Sequence, residues 1–206
     1  MDSKINVMTL QKLGEKYGVD KKFHPNLLSQ YEDHLPIHCK KFLEIGCLYG
    51  HSAKMFREWY GEKTEFHLLD LFSVVSEGEL EGFKTYKGKQ CDFEVLEKLP
   101  TDLGVISEDA SHHSDEQIIT FKKLFKDNLI SGGLYVVEDC YGHFDPYWRR
   151  NIIEKPEDTM VPLMKTWLNG GDLTSQFFTP EENVYFKANI ADVKIYDDVN
   201  VFIWKK

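Results

Sequence analysis

Residues 42 to 56 read FLEIGCLYGHSAKMF. A short apolar run, Phe42 to Ile45, stops at Gly46, and Gly50 follows before His51 to Tyr60 (HSAKMFREWY). An apolar run halted by glycine reads as a buried strand entering a turn. The polar-apolar segment after it reads as a helix closed by Gly61. The same strand-helix alternation continues outward. Phe66 to Leu71 (FHLLDL) predicts a second strand, Phe83 to Tyr86 a weak one, and Phe93 to Lys98 a short helix. Leu103 to Ser107 (LGVIS) and Leu134 to Val137 (LYVV) predict two more strands. Between them Ser114 opens a helix. It has capping-box spacing to Gln117, acids at Asp115 and Glu116, and an apolar face from Ile118 to Leu129 that ends by Gly132-Gly133.

Before this block, residues 1 to 35 read as helical, interrupted near Gly18. After it, residues 141 to 159 read as an aromatic loop and Met160 to Leu168 as a helix. The end, VKIYDDVNVFIWKK, reads as a hairpin turning at Asp197-Asp198. The class is therefore α/β, a mostly parallel sheet with helices on both faces and an antiparallel C-terminal hairpin. One domain over residues 1 to 206 is expected, with a helical N-terminal segment over 1 to 38 and the core over 39 to 206.

Composition narrows the partners. The 206 residues are 42% hydrophobic and 14% aromatic, enough for a substantial core, and the net charge is −9. An acidic chain without a basic stripe argues against nucleic acid. No apolar run is long enough to span a membrane, and the first residues carry no secretory apolar stretch. The lysine pairs, Lys21-Lys22 among them, read as solvated faces. Cys39, Cys47, Cys91 and Cys140 show no C-x-x-C spacing, so reduced thiols and a cytoplasmic setting are expected.

The glycine turn suggests a ligand. Glycines between a strand and a helix let backbone amides approach an anionic group. Asp70 ends the next strand, 24 residues after Gly46, where an acid can accept hydrogen bonds from ribose hydroxyls. The spacing is G-x-x-x-G, not the G-x-G-x-x-G of dinucleotide folds. With Glu44 ahead of the turn, the reading is a nucleoside cofactor, with Glu44, Gly46, Gly50, Ser52 and Asp70 as candidate contacts; a plain strand-to-helix turn with glycines for sterics is the alternative.

Here the chain resembles class I S-adenosylmethionine-dependent methyltransferases. FLEIGCLYGHSAKMF is similar to their first motif and LLDLF to the acidic motif of the second strand. The resemblance narrows to the macrolide-sugar O-methyltransferases of the mycinamicin and tylosin pathways. KYGVDKKFHPNLLSQYEDHL resembles that family's K-Y-G-T-D-K segment with its later His and Tyr. SEDASHH resembles D-D-G-S-H, and GGLYVVED resembles G-G-x-Y-x-I-E-D. The resemblance implies a seven-stranded Rossmann-like sheet, S-adenosylmethionine as methyl donor, and a divalent metal, usually magnesium, that holds a sugar diol. It also implies that Asp20 and Tyr31, with His24, close over the cofactor and that Gln90 and Asp92 border the adenosine. Lys89 stands where the family has an acid and Val19 where it has threonine.

Asp109 follows one strand and Glu138-Asp139 the next, 29 residues from Asp109 to Glu138. A right-handed crossover brings such strand ends together. Three carboxylates there repel unless a cation or proton intervenes, and magnesium prefers oxygen ligands. Asp109, Glu138 and Asp139 are thus candidate metal ligands; helix caps and solvated loop charges are the plainer alternative. A metal acidifies and positions a sugar hydroxyl, and a base must take its proton. His112 matches the family's base position; His113 is its neighbour. Tyr141, Phe144, Tyr147 and Trp148 follow the acid pair, placed to stack on a sugar or to pack on the domain.

The expectation is a metal-dependent O-methyltransferase acting on a sugar hydroxyl of a glycan or glycosylated metabolite. A catechol-type methyltransferase, a nucleotide-binding oxidoreductase and a non-catalytic domain are the alternatives. A sugar or glycan acceptor is the expected partner, nucleic acid and membrane are not, and a homo-oligomer is allowed for.

Overall fold

The computed structural model describes residues 8–24, 26–75 and 79–206. The first seven residues of the expected helical segment lie outside them. Seven strands form one sheet in the order β3-β2-β1-β4-β5-β7-β6. They are β1 (Lys41–Ile45), β2 (Glu65–Asp70), β3 (Lys84–Lys87), β4 (Leu103–Glu108), β5 (Leu129–Val137), β6 (Ile190–Tyr196) and β7 (Asn200–Lys205). The first five run parallel; β7 pairs antiparallel with both β5 and β6.

Alternation along the strands sorts the core into two layers. Phe42, Val105, Leu134, Val136 and Phe202 point to one face. There they meet α1 (Leu10–Tyr17), α2 (Leu27–His34) and α3 (His51–Tyr60). Leu43, Ile106, Tyr135, Val137 and Ile203 point to the other face. That face is covered by α4 (Phe93–Leu96), α5 (Ser114–Asp127), α7 (Met160–Leu168) and α8 (Pro180–Asn189). Helices on both faces and the C-terminal hairpin match the sequence reading.

Three local details differ from it. Residues 141–159 are not a plain loop: they hold two 3-10 turns and the short α6 (Pro146–Arg149). Ser114 does not cap α5, because His113 occupies the N-cap position and makes no side-chain cap bond; the Gln117 side-chain Nε2 instead donates to the Glu138 carbonyl at 2.9 Å. β5 begins at Leu129 rather than Leu134, running through both glycines. No helix among the described residues is long and apolar enough to cross a membrane.

Candidate active site

Register places the site. Ile45 of β1 lies beside Glu108 of β4, and Glu108 beside Val137 of β5. The ladder runs one residue further: the Asp109 amide donates to the Ile45 carbonyl at 2.8 Å and the Glu138 amide to the Glu108 carbonyl at 2.9 Å. Gly46, Asp109 and Glu138 therefore sit side by side at the carboxyl ends of three neighbouring parallel strands, where open sheets bind ligands. Gly46 has φ of 84°, and a Cβ there would collide with the Asp109 carbonyl oxygen. That contact explains the glycine.

A cleft of about 710 Å³ opens over these tips, lined by Asp20, Gly46, Ser52, Asp70, Gln90, Asp109 and His112 among others. The Asp70 carboxylate braces the glycine turn. It accepts from the amides of Cys47 at 2.8 Å, Leu48 at 3.3 Å and Phe72 at 2.7 Å. Gln90 is buried in the cleft wall, donating to Glu108 at 2.6 Å and accepting from the Ser111 amide at 2.9 Å. Glu44 is wholly buried behind the turn, and neither of its carboxylate oxygens has a hydrogen-bond partner. Burial pushes its carboxyl up to about 7, against the pull of Lys21.

Other sequence candidates lie off the cleft. Asp92 is exposed and caps α4, accepting from the Glu94 amide at 3.0 Å. Gly50 is the N-cap of α3, with φ of 72°. Tyr31 is fully buried, its hydroxyl 2.6 Å from Glu138 and 2.7 Å from Ser107.

The acids divide by the pleat. Glu44, Ser107, Asp109 and Glu138 alternate onto the α1–α3 face; Glu108, like Tyr135, falls on the other. Glu108 accepts from Gln90 and, at 2.8 Å, from the Tyr135 hydroxyl. Burial pushes it up to about 8, against both donors.

A residue the sequence reading set aside occupies the first group. Lys21 is not solvated but 2% exposed, in the 3-10 turn Asp20–Phe23. Its ammonium donates to Asp109 Oδ2 and, at 2.7 Å, to Glu138 Oε1, the oxygen that also accepts from Tyr31. Burial draws the ammonium down, but Asp109, Glu138 and Glu44 outweigh it and hold Lys21 above its ordinary value. Burial and the Asp109 charge push Glu138 up to about 8, against Lys21 and Tyr31. Desolvation presses half-buried Asp109 upward too, yet Lys21 and His112 hold it below the usual carboxylate range.

The free side of Asp109 faces a second group. Its Oδ1 lies 3.8 Å from His112 Nε2, which is 4.0 Å from Asp139 Oδ2. Ligand atoms of Asp109, His112 and Asp139 all fall within 4.8 Å of one another, spacing that could hold a metal ion. Asp139 Oδ1 accepts from the Tyr141 hydroxyl at 2.8 Å. His112 and Asp139 both have positive φ, 57° and 54°, a sparsely populated conformation that often marks functional positions. The Trp148 ring stands 5.8 Å from His112, 5.7 Å from His113 and 4.8 Å from Tyr147. Of the two histidines, His112 lines the cleft, while His113 opens α5.

No protein-family model matches the chain, and no curated protein sequence matches it. Solved structures do. The MycE methyltransferase from the mycinamycin biosynthetic pathway, in complex with Mg and SAH, is 22% identical with a TM-score of 0.77, covering 96% of this chain and 54% of that one. A second crystal form of MycE gives a TM-score of 0.74 at 22% identity, over 96% of this chain and 53% of that one. SAH-bound PaMTH1, a methyltransferase of Podospora anserina, gives 0.53 at 17% identity over 96% of this chain and 88% of that one. The chain spans about half the length of MycE. The shared property is the fold, a Rossmann-like sheet covered by helices on both faces.

Proposed function

We propose that this chain is an S-adenosylmethionine-dependent O-methyltransferase that uses a divalent cation and methylates a hydroxyl of a sugar in a glycan or glycosylated metabolite. The observation that carries the reading is the meeting of two features at one sheet edge. A nucleoside-sized cleft lies over the glycine turn, and Asp109, His112 and Asp139 converge at its border. The fold likeness to MycE, whose structure holds Mg and SAH, supports it.

The residues suit both groups. The Gly46 turn leaves no room for a side chain because the Asp109–Ala110 backbone packs against it, which keeps the turn close under the cleft. Ser52 and Asp20 line the cleft and Gln90 forms its wall. Asp70, with both oxygens on backbone amides, shapes the turn. S-adenosylmethionine would supply an electrophilic methyl group on a sulfonium. For the cation, Asp109 and Asp139 each turn an oxygen toward the space beside His112, and Glu138 adds a third carboxylate from the same strand ends; hard oxygen donors of this kind suit magnesium. A cation there would lower the pKa of an acceptor hydroxyl and fix its orientation.

The chain's own residues would complete the transfer. His112 sits where it can take the hydroxyl proton as the methyl group arrives, its ring held edge-on by Trp148. Its Nδ1 is buried without a partner, so neighbouring groups do not fix the tautomer. Trp148 and Tyr147 offer apolar faces to the CH face of a sugar.

The test is transfer of labelled methyl from S-adenosylmethionine to a panel of sugar diols and catechols, with magnesium and with excess chelator. Methylation of sugars that stops in chelator is expected. Asp109→Ala should lower turnover by at least 100-fold and His112→Ala by about 100-fold, with S-adenosylhomocysteine binding retained in His112→Ala. Full turnover in chelator removes the metal role; methylation of catechols alone transfers the reading to a phenolic acceptor.

A further inference from the structure

The carboxylates of Asp109 and Glu138 come from adjacent strand ends and point to the same face of the sheet, where two charges repel. Between them lies one ammonium, that of Lys21. A lysine that is 2% exposed needs charged partners, and Lys21 has two, 88 and 117 residues away along the chain. Glu138 Oε1 also takes hydrogen bonds from Tyr31 at 2.6 Å and Ser107 at 3.3 Å, so protein donors alone satisfy this oxygen. Asp109 is shared: Oδ2 goes to Lys21, while Oδ1 faces His112 and Asp139.

We propose that Lys21 is the built-in counter-cation of this site, holding Asp109 and Glu138 together while no divalent ion is bound and weakening the ion's hold when it arrives. This rests on the metal reading above. Lys21 is a positioning residue in this scheme; it touches the carboxylates, not the substrate. It keeps the acidic strand tips from springing apart, so the site is formed before it is loaded. The same charge, next to the ion, keeps the ion from binding as tightly as three bare carboxylates would hold it.

Lys21→Met removes the charge and keeps an unbranched stem. Its metal-free thermal unfolding, after treatment with chelator, should fall on the order of 10 °C below wild type, because buried Glu138 and half-buried Asp109 lose their partner. Saturating Mn²⁺ should then raise the melting temperature of the variant more than that of wild type. Calorimetric titration should show Mn²⁺ binding the variant at least about 10-fold more tightly. An unchanged metal-free melting temperature overturns the proposal, as does weaker or equal Mn²⁺ affinity in the variant. If Lys21→Met does not fold, the double variant Lys21→Met/Glu138→Gln decides. Removal of the repelling charge should restore folding, and failure to restore it counts against the proposal. Wild type that neither binds Mn²⁺ nor is stabilised by it overturns the metal reading itself, and the ion-dependent half of the proposal falls with it. That result is distinct from the failures above, in which wild type binds.

Discussion

At Gly46 two requirements meet in one residue: a left-handed φ of 84° and the near contact with the Asp109 carbonyl. Gly46→Ala should therefore lower stability by roughly 2 kcal/mol or more. It should also reduce S-adenosylhomocysteine affinity more than 10-fold; urea unfolding and calorimetry check the two effects. Glu44 gives a pH dependence. Burial raises its folded value from 4.5 to about 7, so folding favours the protonated carboxyl. Its contribution to stability is whole below pH 4.5 and is lost as pH rises toward 7. Glu44→Gln should flatten the fall of stability across that window, by up to roughly 1.4 kcal/mol per pH unit; parallel wild-type and variant curves from urea titrations at several pH values would contradict this. Acids after strands were readable as a cluster because strand ends announce themselves. Lys21 was not, because a Lys-Lys pair reads as solvent-facing, and only tertiary packing shows that one of the two turns inward onto residues 88 and 117 positions away.

At the scale of elements, α8 is the instructive case. It starts with a complete capping box, in which the Thr179 side chain accepts from the Glu182 amide and the Glu182 carboxylate accepts from the Thr179 amide. Thr179→Ala should cost about 1 kcal/mol by chemical denaturation, and retention of full stability would contradict the role of the cap. The sequence reading passed over this helix although T-P-E-E carries the start signal, because Phe186 is its one fully buried side chain and no apolar stripe repeats. By contrast β1, β2, β4 and α5 were legible, each having a run or stripe that must be buried. The capping box expected at Ser114 failed for a related reason: Gln117 serves the tertiary contact with Glu138 instead of its own helix end.

At the scale of the molecule, the two-faced core explains why the fold class was readable when much of the site was not. Alternating helices and strands dictate a covered parallel sheet, whereas side-chain partners across it depend on register. Phe202 illustrates the dependence on distant partners: fully buried on β7, it packs its ring 5.3 Å from Tyr31 of α2 and 5.5 Å from His34. Phe202→Ala should destabilise the protein by about 3–5 kcal/mol and lower its melting temperature by on the order of 10 °C, measured by calorimetry. Lys21 and Tyr31 carry a consequence for biogenesis. Both precede their partner Glu138 by more than a hundred residues, so they leave the ribosome well before it. A ribosome releasing the chain from its N-terminus would leave that early lysine without its acids until the fifth strand emerges. The acidic pocket must then close late, as a step in which segments far apart along the chain find each other.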